Sequence, residues 1–354
     1  MNNIVEKFNR KVDELLKNRL SDKKIYKYLF LSYWHYLYYK NKKNKEPKKA
    51  QDGTLFITSG MNYGAGIAHQ LSCWYQGVAL AKENSVGYAY PSFWINGGHA
   101  EPDDYIIKFQ FGKFKVLKNS FAWDNILGFG ENEKTIDELR KEGYKTRKLP
   151  YYNFSNPDNI SEYRGIIDSY RGKKIILIPC VDQRTYLHSS EGKTDALRRK
   201  FWNSSYRQQD NICFSKDKTN IAVHIRRGDV SVNSYANRFL DFDYYINAIN
   251  VVIKELNLKL EDVCIFIFSE GQPKDFSIFE TYPNVRICLD WDSKKTFLHM
   301  VYADAIIAGA SGFSVNAAAI GNGKRFVYED SFTKYSKNLE WIMLNKKGEK
   351  VPNF

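Results

Sequence analysis

Cysteine and histidine are scarce in this chain of 354 residues, which holds five of the first and six of the second. The cysteines form no C-x-x-C pair and have no spacing typical of a metal site. Four of the five lie in or beside apolar stretches, which predicts buried, reduced thiols in a reducing compartment. A disulfide scaffold and a zinc module are therefore disfavoured as the basis of the fold.

Long apolar runs are also missing. The aromatic stretch 26–39 is 14 residues long and contains Lys27, so it is too short to cross a bilayer. The first residues, Met1 to Glu6, do not have the pattern of a secretory signal. We therefore expect a cytoplasmic protein, either fully soluble or peripheral at a membrane surface.

The net charge of +13 is concentrated at the amino terminus. Residues 1–50 hold 14 Lys and Arg against 5 acidic residues, a net of +9, and the rest of the chain carries a net of +4. This basic, aromatic extension is predicted to be helical, and it either packs on the body or lies on an anionic membrane surface. A non-enzymatic binder of nucleic acid or membrane through this arm is an open alternative, but the nearly balanced body leads us to expect no nucleic-acid partner.

Beyond the extension, short apolar strands alternate with helices, which predicts α/β structure with parallel sheets. The predicted strands are Leu55–Ile57, 174–179, 221–225, 263–268, Val285–Leu289, Ala305–Ala308 and 325–328. The predicted helices are 70–82, 244–256, 296–302 and one from about residue 315. We expect two Rossmann-like domains with a cleft between them, covering 51–207 and 208–335. A tail, 336–354, would pack back on the first domain.

The most informative motif is His224-Ile225-Arg226-Arg227-Gly228-Asp229, which follows the predicted strand 221–225 directly. Two adjacent guanidiniums at the carboxyl end of a buried strand predict an anionic ligand, because unpaired charge is costly there. Ligands of open parallel sheets also bind at that end of the strands. The motif therefore predicts a phosphate site.

Further loops end strands at the same edge. Gly64 and Gly66 lie between the first strand and its helix, where glycine permits close approach of the backbone to a ligand. Ser269 and Glu270 follow the strand 263–268, and the small residues of 309–314 follow Ala305–Ala308. The last loop precedes a helix, and exposed amides at a helix start favour an anion.

These motifs resemble those of the fucosyltransferase superfamily, which includes the α1,2- and α1,6-fucosyltransferases and the protein O-fucosyltransferases. The arginine motif at 224–229 and a Ser-x-Phe-Ser element at 311–314 carry the resemblance. It extends over about residues 54–330, and only the arginine motif is specific. The resemblance implies a GT-B fold, GDP-fucose as the donor, inversion at the anomeric carbon and no requirement for a metal.

The resemblance also assigns roles to residues of the donor site. Arg226 or Arg227 would bind the β-phosphate of GDP, and His224 would lie near the nucleoside. The residues that would hold the pyrophosphate are Ser311, Gly312, Phe313 and Ser314. Gly64, Gly66, Ser269 and Glu270 complete the predicted donor-binding set. We therefore expect a nucleotide-sugar donor and a glycan acceptor as partners, with no cofactor.

The catalytic base is less well defined. Ala68-His69 stands where the family has Gly-Asn, and 230–234 contains no acid where the α1,6 branch has a carboxylate. His69 is a candidate base at an unshifted pKa. Asp229 is a second candidate, although it could instead support an arginine, and a dissociative route without a base is also open.

A competing enzyme class is a metal-dependent GT-A glycosyltransferase with another nucleotide sugar. Asp290-Trp291-Asp292 follows a predicted strand, where such a motif could bind a divalent ion, and Asp241-Phe242-Asp243 has the same form. The string is short and common, and the arginine motif makes a metal redundant. We therefore expect no metal site.

Overall fold

The structure is a computed structural model that describes residues 55–60, 66–91, 108–110, 113–115, 120–152, 164–181, 190–331 and 339–352. The predicted helical extension 1–50 and Gly64 lie outside the described residues. The chain divides into two units, one of residues 1–60, 77–89 and 136–185 and one of residues 61–76, 90–135 and 186–354. Each unit contains a parallel sheet.

The strands, in chain order, are β1 (Leu55–Ile57), β2 (Gly87–Tyr88), β3 (Lys108–Gln110), β4 (Lys113–Lys115), β5 (Lys145–Tyr152), β6 (Ile175–Val181), β7 (Thr219–His224), β8 (Val263–Ser269), β9 (Val285–Leu289), β10 (Ala305–Ala308), β11 (Lys324–Tyr328) and β12 (Ile342–Leu344). The α-helices are α1 (Ile67–Glu83), α2 (Ser120–Leu127), α3 (Ile136–Lys141), α4 (Ser190–Asn203), α5 (Phe242–Glu255), α6 (Ser293–Tyr302) and α7 (Gly312–Ile320). Short 3₁₀ helices cover Ser205–Gln209, Ala236–Arg238, Leu260–Asp262 and Pro273–Thr281.

The first unit has a four-stranded sheet in the order β2-β1-β6-β5, and all its pairs are parallel. The second unit has a six-stranded sheet in the order β12-β11-β10-β7-β8-β9, also parallel throughout. All strands of the first sheet precede residue 208 and all strands of the second follow it. The predicted α/β class with two parallel sheets is confirmed, and the domain limits stay a prediction.

The order of the second sheet fixes where a ligand can bind. The chain builds β7, β8 and β9 outward in one direction, then returns to the other side of β7 to build β10, β11 and β12. The direction of winding therefore reverses between β7 and β10. In doubly wound sheets the crevice at the carboxyl ends of such a strand pair is the usual ligand site.

Strands β7, β8 and β10 lie near the centre of this sheet, and their middle positions are apolar and buried. Ile221, Val223, Ile265 and Ile267 are buried, which is the pattern of parallel strands covered on both faces. Helix α5 covers one face with buried side chains at helical spacing, namely Tyr244, Tyr245, Ala248, Ile249 and Val252.

Helix α7 is anchored by donors at its carboxyl end. Arg198 donates hydrogen bonds to the carbonyls of Ala319, Ile320 and Gly321, at 3.1, 2.8 and 2.5 Å. Trp202 Nε1 donates to the same Ile320 carbonyl at 2.9 Å. A guanidinium at this end complements the helix dipole. The anchored helix begins at the loop that follows β10, so its amino terminus lies at the edge of the sheet where the strands end.

Sequence analysis did not predict five strands, β2, β3, β4, β5 and β12, and the last two show why. β5 contains three basic residues and Pro150, and it is an edge strand, so it lacks the continuous apolar run of a buried strand. Residues 342–344 were assigned to a tail packing on the first domain. They form β12, which pairs with β11 at the edge of the second sheet, and the packing of the tail on the first domain stays a prediction. A three-residue edge strand is too short to give a periodic signal.

Within the described part of the chain, no helix is long and apolar enough to cross a membrane.

Candidate functional site

Arg226 connects the loop after β7 with the loop after β10, at the point where the winding of the second sheet reverses. Its Nε and Nη2 donate to the two carboxylate oxygens of Asp229, at 3.1 and 2.6 Å. Its Nη1 donates to Ser311 Oγ at 3.1 Å, which joins the loop after β7 to the loop after β10. These bonds occupy three of the five N–H donors of the guanidinium. Asp229 therefore orients Arg226, and two N–H donors of the guanidinium are not used in these three bonds.

The amino terminus of α7 directly follows Ser311, the residue that accepts the hydrogen bond from Arg226. Ser311 has the extended backbone of an N-cap residue but makes no capping hydrogen bond, and its hydroxyl accepts from Arg226 instead. The first-turn amides, those of Gly312, Phe313 and Ser314, therefore lack a side-chain cap. Uncapped amides and the helix dipole favour an anion at this point. Together with Arg226 they bring positive charge and hydrogen-bond donors to one place, which we call the anion cradle.

Arg227 makes different contacts from those of Arg226. It donates to the carbonyls of Arg226 and Leu240, both at 2.9 Å. The rings of Phe239 and Phe242 lie 4.4 and 4.9 Å from its guanidinium carbon, a cation–π arrangement. Burial lowers the pKa of Arg227. Arg227 thus braces the loop that follows the motif, a difference between the two arginines that the sequence did not reveal.

The turn of the motif is supported from β8. Gly228 has a φ of +75°, and a Cβ atom there would overlap the carboxylate of Glu270. Ser269 Oγ donates to the Ile225 carbonyl at 2.7 Å, which ties the end of β8 to the end of β7. The sharp turn at 228 therefore needs glycine for its backbone conformation, and it lies close to the carboxylate end of the Glu270 side chain.

His224 is a neutral imidazole at the end of β7. Its Nδ1 atom is buried, and among the described residues it has no hydrogen-bond partner. Burial, with a smaller contribution from the charge of Arg226, lowers the pKa of His224 to about 3. The ring lies 5.6 Å from that of Phe313. A Cβ at Gly309 would come within 2.7 Å of the His224 carbonyl, so glycine permits the β10 loop to pass close to His224.

His69 lies in the first turn of α1, in the same unit as Arg226. The helix begins just after Gly66, whose carbonyl accepts from the His69 amide at 3.0 Å. The side chain is exposed, yet partial burial lowers the pKa of His69 below its ordinary value. The charges of Arg238 and Arg226 lower it further, and Lys193 adds a smaller effect. The prediction of an unshifted pKa is therefore wrong, because positive charges surround the imidazole.

Sequence analysis missed three residues around this site. Tyr245 on α5 hydrogen-bonds to the backbone of Arg226, and burial raises its pKa. Burial lowers the pKa of Lys193 to about 8. Arg238 is close enough to His69 for its charge to affect the imidazole. In the sequence Tyr245 appears as a core position of a helix and the two cations as solvated charges, so no local signal marks them.

One carboxylate of each D-x-D string caps a helix. Asp292 Oδ1 accepts from the amides of Lys294 and Lys295, both at 3.0 Å, at the start of α6. Asp241 Oδ1 accepts from the Tyr244 amide at 2.9 Å at the start of α5. No group of three or more His, Cys, Asp or Glu side chains in the described ranges is arranged to hold a metal ion. Capping therefore accounts for these carboxylates without a metal.

The fold and the site together define a parallel α/β unit with an anion cradle at its topological switch point. No protein-family description and no curated protein sequence matches the chain. Among solved structures, it is similar to POFUT1 in complex with GDP-fucose, with 12% identity over 79% of this chain and 97% of that chain and a TM-score of 0.43. It is also similar to the fucosyltransferase NodZ from Bradyrhizobium, with 12% identity over 77% of this chain and 94% of that chain and a TM-score of 0.39. A third similar structure is the E. coli heptosyltransferase WaaC with ADP-2-deoxy-2-fluoro heptose, with 10% identity over 83% and 94% and a TM-score of 0.39.

Proposed function

We propose that this protein is a glycosyltransferase of the GT-B type that transfers L-fucose from GDP-fucose to a hydroxyl of a glycan. The reaction inverts the anomeric carbon and needs no metal ion. One observation carries the proposal: the 3.1 Å hydrogen bond from Arg226 to Ser311 joins a guanidinium to an uncapped helix start at the topological switch point. The family resemblance of the arginine motif supports GDP as the leaving group.

The chemistry follows from charge development on that leaving group. The acceptor oxygen bonds to C1 of fucose while the bond from C1 to the β-phosphate oxygen breaks, and its electron pair stays on GDP. Arg226 and the first-turn amides of α7 stabilise the added negative charge. Fixed donors thus supply what a divalent ion supplies in other glycosyltransferases. The proton of the acceptor hydroxyl passes to His69.

The nucleoside of GDP-fucose would contact His224 and Phe313. A histidine with a pKa of about 3 stays neutral at physiological pH, so it offers a hydrogen bond without adding charge. The neighbouring Phe313 ring, 5.6 Å away, offers an apolar surface. These two environments support a site that binds the phosphates of the donor at Arg226 and its nucleobase near His224.

The donor is tested by calorimetry with GDP, GDP-fucose, GDP-mannose, UDP-glucose and ADP, each in EDTA. We expect GDP and GDP-fucose to bind, with UDP-glucose and ADP weaker by at least about tenfold, a difference of roughly 1.4 kcal/mol. Binding that appears only when Mn²⁺ is added would favour the metal-dependent alternative. Absence of GDP binding under both conditions would overturn the proposal.

The role of His69 predicts a specific pH dependence. A base acts in its deprotonated form, and a lowered pKa keeps His69 deprotonated to lower pH. We expect kcat/KM for fucose transfer or donor hydrolysis to fall on the acidic side with a midpoint below 6.5, the ordinary pKa of histidine. H69Q should lose this acidic limb and reduce the rate by about 10²- to 10⁴-fold.

Asp229→Asn is the matched comparison for the second candidate base. Because Asp229 is bonded to Arg226 through both oxygens, we expect D229N to weaken GDP binding and to keep the acidic limb. If H69Q retains the wild-type profile and D229N loses it, the base is Asp229. If both retain it, the dissociative route without a base is favoured. Membrane association through residues 1–50 stays a prediction outside the described residues.

A further inference from the structure

The loop between the arginine motif and α5, residues 230–240, carries exposed apolar side chains beside the proposed site. The described residues leave four large apolar side chains exposed, those of Val232, Tyr235, Leu260 and Ile278. Two of the four lie in this loop, with Val232 64% and Tyr235 58% exposed. Apolar side chains grouped at the surface often mark an interaction site.

The loop is fixed at both ends. Ser231 and Ser234 exchange two backbone hydrogen bonds, at 2.8 and 3.2 Å, and the Ser231 hydroxyl accepts from the amide of Ser234. Val230 and Leu240 are buried at the two ends, and Arg227 donates to the Leu240 carbonyl at 2.9 Å. The exposed tip is therefore held by a braced turn.

Tyr235 occupies a costly backbone conformation at this tip. Its φ of +52° and ψ of +43° are left-handed, a region that residues with a Cβ atom adopt at a cost of about 1 to 2 kcal/mol. With 58% of its surface exposed, Tyr235 gains little burial to offset that cost. Strained exposed residues of this kind cluster at ligand sites.

One face of the Tyr235 ring is covered by a cation. The guanidinium carbon of Arg238 lies 5.1 Å from the ring centroid. The same Arg238 has a larger electrostatic effect on His69 than Arg226 has. The ring therefore lies against a cation whose charge also acts on His69, on the loop that directly follows the arginine motif.

We infer that Tyr235 is the stacking platform for the sugar ring of the acceptor, with Arg238 behind it. The inference rests on the proposed function and names the part of the acceptor that is recognised. The C–H face of a pyranose is flat and weakly apolar, and it stacks on an aromatic ring whose other face is held by a guanidinium.

The test uses an array of defined oligosaccharides, probed with the full chain in saturating GDP. Four proteins are compared with the wild type: Y235A, Y235N, Y235F and L260A. Asparagine accepts positive φ more readily than tyrosine, so Y235N removes the ring while relieving the backbone. Leu260 is an exposed apolar side chain, 45% exposed, outside the loop, and serves as the matched control.

We expect the wild type, Y235F and L260A to bind the same glycans, and both Y235A and Y235N to lose affinity by about tenfold or more. Equal glycan binding by Y235N and the wild type would overturn the inference, and so would a wild type that binds no glycan. GDP affinity is measured by calorimetry for every protein. A wild type that binds GDP but no glycan overturns the platform alone, whereas a wild type that does not bind GDP overturns the proposed function.

Discussion

Arg226→Ala is expected to weaken GDP binding by about 2 to 4 kcal/mol, which corresponds to roughly 30- to 900-fold in the dissociation constant. The loss is large because the substitution removes the guanidinium that bridges Asp229 and Ser311. It also leaves the Asp229 carboxylate next to the phosphate without its partner, which adds repulsion. Calorimetric titration with GDP measures the change directly.

Three further substitutions separate charge from geometry. Arg226→Lys keeps the charge but loses the planar fork, so we expect an intermediate affinity. Arg286→Ala removes an exposed arginine from β9 of the same sheet and is expected to leave GDP binding unchanged. Arg227→Ala should lower the thermal midpoint, because it removes the brace to Leu240, with a smaller direct effect on GDP. GDP affinity in R226A equal to that of the wild type would refute the proposed cradle.

Gly228→Ala is expected to lower GDP affinity by about tenfold or more without touching the ligand. The φ of +75° adds strain of about 1 to 2 kcal/mol. The new Cβ would also collide with the Glu270 carboxylate, so either the turn or Glu270 must move. Because Arg226 and Asp229 flank this turn, a shift misplaces the guanidinium.

Gly172→Ala is the matched control. Gly172 has a φ of +76°, nearly that of Gly228, but a Cβ atom there would meet nothing within 4 Å. It therefore carries the backbone strain without the collision. We expect G172A to lower the thermal midpoint slightly and to keep wild-type GDP affinity. Equal losses of GDP affinity in the two variants would mean that strain alone, rather than the packing of Glu270, controls the site.

The sequence predicted strands best where burial is continuous. β1, β9 and β10 have the predicted bounds, and β7, β8 and β11 differ by two residues or fewer. Most of these strands could be found because strands buried within a parallel sheet are largely apolar. β9 is an edge strand, and it was found because four of its five residues are apolar. β5 and β12 were missed because edge strands have one neighbour and tolerate charge, proline or short length.

The candidate site was predicted as residue types, without its geometry. The motif at 224–229 and the loop at 311–314 were recognised as anion-binding segments, and the structure brings them together through the hydrogen bond from Arg226 to Ser311. The different orientations of Arg226 and Arg227 could not be predicted. They depend on Leu240, which is distant in sequence, and on two phenylalanine rings.

The sequence by itself determined the class of fold and the chemistry that the site can offer, because apolar periodicity and adjacent guanidiniums are local properties. The tertiary structure decided which groups meet. The strand order puts β7 beside β10, and this is why a serine 85 positions beyond Arg226 bonds to it. It also decided the pKa of His69, because the cations that lower it come from three separate segments of the chain. Hydrogen bonds and pKa shifts of this kind depend on distances between residues that are far apart in the chain, and a local sequence pattern does not determine those distances.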